Sequence, residues 1–368
     1  MTNNQLQSRL LHILDLARWA PSGDNTQPWR FEIIDAGRVV VHGFDTRDHC
    51  VYDLDGHPSQ ISIGALLETA SIAASSVGMR MSAQRRLLRA DGSAIPEERP
   101  TFELEFTPEP GLQADPLVSV IKVRSVQRRP LKTRALRSDE KQRLESCLPP
   151  GYSIHWLEGA TKRWQVARLM FRSARIRLTI PEAYEVHRDI IEWNQRYSAS
   201  KVPDQALGVD AMTLRLMRFV MQSWDRVAFF NRFFAGTVAP RIQMDLIPSL
   251  ACAAHFALLS EHPPSSIDDY VSAGRAMQRF WLTASSLDLQ MQPEITPLVF
   301  TRYASQARQF SRTPGAMDAA AEVRRRLQQL LTPELTQRAV FFGRVGAGPA
   351  PVARSERQPL DSLMMRTP

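Results

Sequence analysis

The chain has 368 residues, 43% hydrophobic and 23% charged, which excludes disordered, collagenous and membrane-embedded classes and gives enough chain for two packed halves. Lys and Arg number 46 against 38 Asp and Glu, a formal charge of +8 that favours anionic partners such as phosphates. Arg is scattered along the whole length without aromatic-interleaved basic runs, however, so no nucleic-acid partner is expected.

The N-terminus lacks the basic start, apolar run and cleavage site of a signal peptide, and no apolar stretch approaches the ~20 residues that cross a bilayer. A soluble protein with no membrane partner is expected. Cys50, Cys147 and Cys252 stand far apart without a CxxC pair, which argues against a disulfide framework or a zinc site and fits a reducing cytoplasm. Leu6, Leu10, Leu11, Ile13, Leu14 and Ala17 recur at helical spacing and stop at Pro21-Ser22-Gly23. Residues 29–34 and 38–41 read as two strands joined by Asp35-Ala36-Gly37. Helices are predicted over 61–79 and 166–180, and a strand over 96–110. Alternating helices and strands indicate an α/β or α+β fold.

Sliding the chain against itself sets Ser62-Ile63-Gly64 over Ser272-Ala273-Gly274. The same offset matches Ala74-Ser75-Ser76 with Ala284-Ser285-Ser286, and Met81 with Met291. This predicts two copies of one helix, each with a glycine early in an apolar run, so that two backbones can approach across a pseudo-twofold axis. Chance similarity of two Ala/Ser-rich helices is the alternative.

The string Ala20-Pro21-Ser22-Gly23-Asp24-Asn25-Thr26-Gln27-Pro28-Trp29 offers polar groups on a turn: Ser22, Asn25 and Gln27 carry the donors and acceptors that a polar ring edge requires. Taken alone, it is equally a helix-ending turn in which Asn25 satisfies local backbone. The full string resembles the APSxxNxQPW signature of the nitroreductase family of flavin oxidoreductases. Arg124-Ser125-Val126-Gln127-Arg128 resembles the same family's RxSxR-type motif, and guanidinium forks suit phosphate oxygens. Val126 stands where the family usually has a hydroxyl. The run Val340-Phe341-Phe342-Gly343-Arg344-Val345-Gly346 and the tail Arg354-Ser355-Glu356-Arg357-Gln358-Pro359-Leu360 resemble its closing strand and arm. Gln292-Pro293-Glu294-Ile295 resembles the segment near the flavin N5 edge.

The resemblance implies an α+β nitroreductase-like fold and FMN as cofactor. The ring would be held by Pro21, Ser22, Gly23, Asn25 and Gln27, with Gln292, Pro293 and Glu294 near its reactive edge. The phosphate would be neutralised by Arg124, Arg128 and Arg344, with Ser125 as the substitute hydroxyl contact and Gly346 beside it. In the ordinary family a homodimer builds two flavin sites, each from the basic motif of one subunit and the loop of the other. Here the loop lies in the first half and the basic motif in the second. Residues 147–152 stand where a second loop would be.

A tandem, single-chain pseudo-dimer with one complete site is therefore implied, its halves spanning 1–115 and 116–368. A monomer suffices, with a homodimer as the alternative. A helical insertion at about 171–245, rich in Arg, Met and aromatic residues, is expected to form a lid. Most of its Tyr184, Trp193, Tyr197, Met212, Met217, Met221, Trp224, Phe229, Phe230 and Phe233 should pack a helical hairpin. His187 within it is read as a structural histidine rather than a proton donor.

No HExxH, GxSxG, P-loop or GxGxxG motif is present, so metalloprotease, serine hydrolase, NTPase and Rossmann readings lack support. The implied activity is hydride transfer through flavin N5 on a small molecule, either nitro or quinone reduction or dehydrogenation of a metabolite, with NAD(P)H as the candidate reductant. The alternative is a flavin-sequestering protein without turnover.

Overall fold

The computed structural model describes residues 3–89 and 91–365. The first half begins with α1 (Asn3–Ala17), which buries Leu10, Ile13, Leu14 and Ala17. The hairpin of β1 (Trp29–Ile33) and β2 (Arg38–Gly43) follows, its turn closed by the Asp35 carboxylate accepting from Gly37 N at 2.9 Å. α2 (His57–Ser75) is buried on nearly every side, the mark of a central helix. It starts earlier than the periodicity suggests, with Pro58 in its first turn. It also ends earlier, because Gly78 at φ 67° turns the chain into β3 (Met79–Arg86). β4 (Thr101–Pro108) lies inside the expected 96–110 strand.

The second half opens with α3 (Ser138–Ser146) and β5 (Tyr152–Glu158). A helical excursion then carries α4 (Gly159–Thr179), α5 (Pro181–Ile190), α6 (Ala211–Val220) and α7 (Trp224–Phe233). β6 (Ala254–Ser260), α8 (Ile267–Ser286) and β7 (Leu289–Pro293) come next. α9 (Thr296–Ser305), α10 (Ala316–Leu331) and α11 (Pro333–Arg338) lead into β8 (Ala339–Ala347).

The molecule is a mixed α+β fold with two antiparallel four-stranded sheets, ordered β1-β2-β4-β3 and β5-β6-β8-β7. Each order places the first two strands together and inserts the last between the second and third. The repeated helices α2 and α8 pack against each other between the halves. A Cβ on Gly64 would lie 1.9 Å from Val271 O, and one on Gly274 2.1 Å from Ile61 O, so only glycine permits this approach. Glu68 takes Arg275 and Arg279 at 3.1 and 2.7 Å, and Gln278 Nε2 donates to Thr69 Oγ1 at 2.9 Å, tying the same pair.

The C-terminal tail crosses back to the first half, where Met365 N donates to Phe31 O at 2.7 Å beside the β1 edge. On the way, Arg354–Ser355 pairs in parallel with Tyr197–Ser198 of the excursion. Among the described residues, no helix is long and apolar enough to cross a membrane.

The excursion differs from expectation in extent and packing. It occupies all of 159–253 between β5 and β6 rather than about 171–245. Tyr184 is buried and Met217 and Met221 rest on a small cluster around Val202 and Leu207, but α6 and α7 bury no residue fully. Met212, Phe229 and Phe233 are 74%, 51% and 61% exposed, because their apolar stripe has no layer of the fold behind it.

Candidate functional site

The turn after α1 is held in an uncommon backbone shape. Asp24, Asn25 and Gln27 have φ of 51°, 61° and 50°, the left-handed region that costs a non-glycine residue roughly 1 kcal/mol each. Side-chain bonds over-determine it. Ser22 Oγ accepts from Gln27 N at 2.9 Å, and Asn25 Nδ2 donates to Lys201 O at 3.2 Å. Asn25 Oδ1 accepts from Arg357 Nη1 at 2.9 Å. The loop, residues 198–201 of the excursion and the C-terminal tail are thus knotted together.

This knot forms one wall of a cavity of about 340 Å³, within the ~300–1,000 Å³ range of small-molecule and cofactor sites. Both halves contribute, through residues 21–25 and the start of α2 on one side and residues 124–128, α8 and 292–296 on the other. Its charges are segregated. At one end, Arg124 Nη2 donates to Trp19 O at 2.8 Å while its guanidinium lies 4.5 Å over the Trp281 ring, leaving Nε without a hydrogen bond. Arg357 Nε donates to Ala20 O and Arg354 Nη2 to Lys122 O, both at 2.8 Å.

Among the described residues, no carboxylate pairs with any of these three arginines. Burial first, then the charges of Arg357 and Arg354, hold Arg124 well below its ordinary pKa. Burial, followed by Arg354 and Arg18, lowers Arg357 to about 9. Mutually repelling cations that lack a carboxylate and face a cavity are arranged to receive an anion.

The other end is mixed in charge. Arg177 Nη2 reaches both Asp245 carboxylate oxygens at 3.0 Å, and Tyr52 Oη lies 3.1 Å from His187 Nε2. Burial and the nearby Arg177 lower His187 to about 3, so its imidazole is neutral and shares a hydrogen bond with the Tyr52 hydroxyl. That fits a structural histidine and not a proton donor.

Of the residues singled out in the sequence, Pro21, Ser22, Gly23, Asn25, Arg124, Ser125, Arg128, Gln292, Pro293 and Glu294 line the cavity. Val126 lines it too and presents no hydroxyl, leaving Ser125 as the adjacent one. Among the described residues, Gln292 Oε1 has no hydrogen-bond partner, an acceptor beside the apolar Pro293.

Three expected residues lie elsewhere. Gln27 is fully buried; its Nε2 donates to Ala199 O at 2.8 Å and its Oε1 accepts from Gln358 N at 2.9 Å, so it ties loops and has nothing left for a ligand. Arg344, 1% exposed, turns its guanidinium inward: Nη2 donates to Arg128 O at 2.8 Å and Gln127 O at 3.2 Å, and Nε lies 3.6 Å from the Glu294 carboxylate. It positions the strip that bears Arg128. Gly346 sits on β8, where a Cβ would come within 2.9 Å of Ala253 N; it permits close packing and does not face the cavity.

Reading the sequence missed the cavity roles of Asp24, Arg354 and Arg357, although all three stand inside quoted strings, and it missed Trp281, Arg177 and His255. His255 lies fully buried behind Glu294, with Nδ1 2.7 Å from the carboxylate and Nε2 2.8 Å from Ser249 O. Burial opposes its charge, but the Glu294 carboxylate and the Cys252 sulfur together outweigh burial and raise it to about 10, so both ring nitrogens donate. No local motif announces such a support, since its partners are distant in the chain.

The α+β fold thus carries a cavity lined by residues from both ends of the chain, with three arginines that lack a carboxylate partner among the described residues. No model of a protein family matches the chain, and no curated protein does. Among solved structures, it is similar to a nitroreductase with bound FMN from Bacteroides fragilis NCTC 9343. The two are 10% identical, with a TM-score of 0.35, over 64% of this chain and 89% of that one. It is also similar to a nitroreductase-like family protein from Bacillus cereus, at 14% identity and a TM-score of 0.33 over 69% and 96% of the two chains. These likenesses assign no residue of this chain.

Proposed function

We propose that the chain is an FMN-dependent oxidoreductase of the nitroreductase type, in which two fused half-molecules form an intramolecular pseudo-dimer around one flavin pocket. The observation that carries this reading is the cluster of Arg124, Arg354 and Arg357, cavity-facing and without a carboxylate partner, which a phosphate monoester would neutralise. The remaining walls suit the rest of the group. Trp281, Met277, Ile61 and Phe341 give an apolar bed, and Gln292 Oε1, unpartnered among the described residues, gives a polar atom for a ring edge. The repeated strand order and the glycine-to-glycine crossing of α2 and α8 support the pseudo-dimer.

Bound FMN would supply hydride acceptance and donation at its N5 atom. The protein's part is binding, orientation and exclusion of water. Arg344 fixes the backbone that presents Arg128, and His255 fixes the carboxylate of Glu294. Met170, Val202, Leu207 and Met244 close the excursion side of the cavity, so residues 187–207 and 244–245 act as the lid, not the exposed α6–α7 hairpin. The substrate is a small molecule, NAD(P)H is the reductant, and one chain completes the site, so a monomer suffices. Three free cysteines fit a cytoplasmic protein.

A second reading, flavin sequestration without turnover, is favoured by one observation: Asn25 and Gln27 are bonded directly to residues 198–201, which pins the lid to the loop. Anaerobic mixing of the FMN-loaded protein with NADH or NADPH separates the two. Bleaching of the flavin band within seconds supports an oxidoreductase. A bound flavin that stays oxidised supports storage.

A further inference from the structure

Asp24 is the one residue of the turn whose side chain holds nothing. Ser22, Asn25 and Gln27 are each bonded to loop, lid or tail, whereas among the described residues the Asp24 carboxyl makes no hydrogen bond or ion pair, though it lines the cavity. Its backbone, at φ 51° and ψ 18°, is left-handed, a conformation that the bonds of its neighbours impose and that presents the side chain where an ordinary helical turn would not. A carboxyl in a protein cavity usually gains a partner, because burying it alone is costly.

Asp24 shares the cavity wall with Arg128, Arg177 of α4, its partner Asp245, Tyr52, and His187 of α5, which bonds Tyr52. Asp53 and Cys50, on the segment after β2, also interact electrostatically with it. Burial raises the Asp24 pKa above its ordinary 3.8, with Asp53 acting in the same direction and Arg128 and Arg177 against it. His187 is neutral at about 3 and Tyr52 is held protonated by burial. Of the other carboxylates at this end, Asp245 is paired with Arg177 and Asp53 accepts from Thr46 and Ser59.

We propose that Asp24 is the proton-exchanging residue of this site, placed by the turn to serve a substrate whose two-electron reduction adds hydrogen to both ends of a polarised double bond, such as C=N, C=O or N=O. The assignment rests on the flavin oxidoreductase reading above. Bound reduced flavin, itself renewed by a reduced nicotinamide, would supply the hydride to one atom of the double bond, and the π electron pair would pass to the neighbouring heteroatom. The part of Asp24 is the proton: its O–H bond breaks as the heteroatom–H bond forms, and water returns the proton to the carboxylate. In the reverse direction, the carboxylate accepts the proton of an N–H or O–H while the adjacent C–H gives up hydride.

The test compares wild type, Asp24→Asn and Asp24→Glu. In flavin-free protein, a carboxyl whose folded pKa is raised stabilises the fold relative to the amide only below the ordinary carboxylate range. The melting temperature of Asp24→Asn should therefore gain on wild type as pH rises from about 4 and then level off. A constant difference across about pH 4 to 9 overturns the proposal. In flavin-loaded protein reduced photochemically, nitrosobenzene is the probe, since its N=O takes hydride at nitrogen and a proton at oxygen. Asp24→Asn should reoxidise at least ~10²-fold more slowly and lose the pH dependence of wild type, with Asp24→Glu partly restoring both.

Equal rates with flavin bound in both proteins overturn the Asp24 assignment alone. Absence of flavin from the wild type removes the oxidoreductase reading, and the Asp24 assignment falls with it.

Discussion

Gly64 and Gly274 face each other where the two halves of the chain meet: a Cβ placed on Gly64 would lie 2.9 Å from the Gly274 Cα and 1.9 Å from Val271 O. The obstruction is backbone on both sides, so no rotamer change relieves it. Gly64→Ala or Gly274→Ala should cost about 3 kcal/mol or more, at the upper end of overpacking effects, and chemical denaturation will read this directly. Alanine at either position with unchanged stability would mean that the helices do not cross as described.

The three arginines at the phosphate end predict linkage between anions and stability. Inorganic phosphate or sulfate should raise the melting temperature of flavin-free protein more than chloride at equal ionic strength. Arg124→Ala or Arg357→Ala should remove most of that gain. Each should also weaken FMN by roughly 10- to 100-fold, the loss of about 1.5–3 kcal/mol in charge-assisted hydrogen bonding.

His255 predicts a pH effect of known sign. Against burial, Glu294 and Cys252 together raise its pKa from 6.5 to about 10, so the stability it contributes is complete below 6.5 and is lost as pH rises through about 10. Wild type should therefore lose stability over that window relative to His255→Gln, as thermal unfolding at several pH values will show. A parallel course for the two proteins would count against a charged His255–Glu294 pair.

Gln27 should behave as a tie, not a ligand. Gln27→Ala leaves Gln358 N and Ala199 O without their partner, at a cost of about 1–3 kcal/mol for each group that stays buried. Proteolysis between residues 196 and 207 should quicken, while FMN affinity falls less than for Arg357→Ala.

What could be read from the sequence was what local pattern encodes. The repeat around Gly64 and Gly274 foretold a close helix crossing because a glycine early in a small-residue helix has few other uses. The string from Ala20 to Trp29 marked the cavity wall because its polar residues interrupt a helix-to-strand passage. Long-range bonding was hidden. Nothing beside Gln27 or Arg344 indicates that each turns inward to hold backbone, so both looked like ligands. Arg354 and Arg357 join the cavity only because the tail folds back beside residues 197–198, a parallel pairing without periodic signature. Phe229 and Phe233 carry helical spacing whether or not a core lies behind them, which is why their exposure could not be foreseen.

The central claim is one flavin pocket per chain, and the absorption spectrum of the purified protein, followed by denaturation and identification of the released ligand, tests it most directly. The account predicts flavin bands and FMN released at close to one per chain, lost on replacing Arg124 and Arg357 together. A colourless wild-type protein that takes up no FMN when it is added would contradict it.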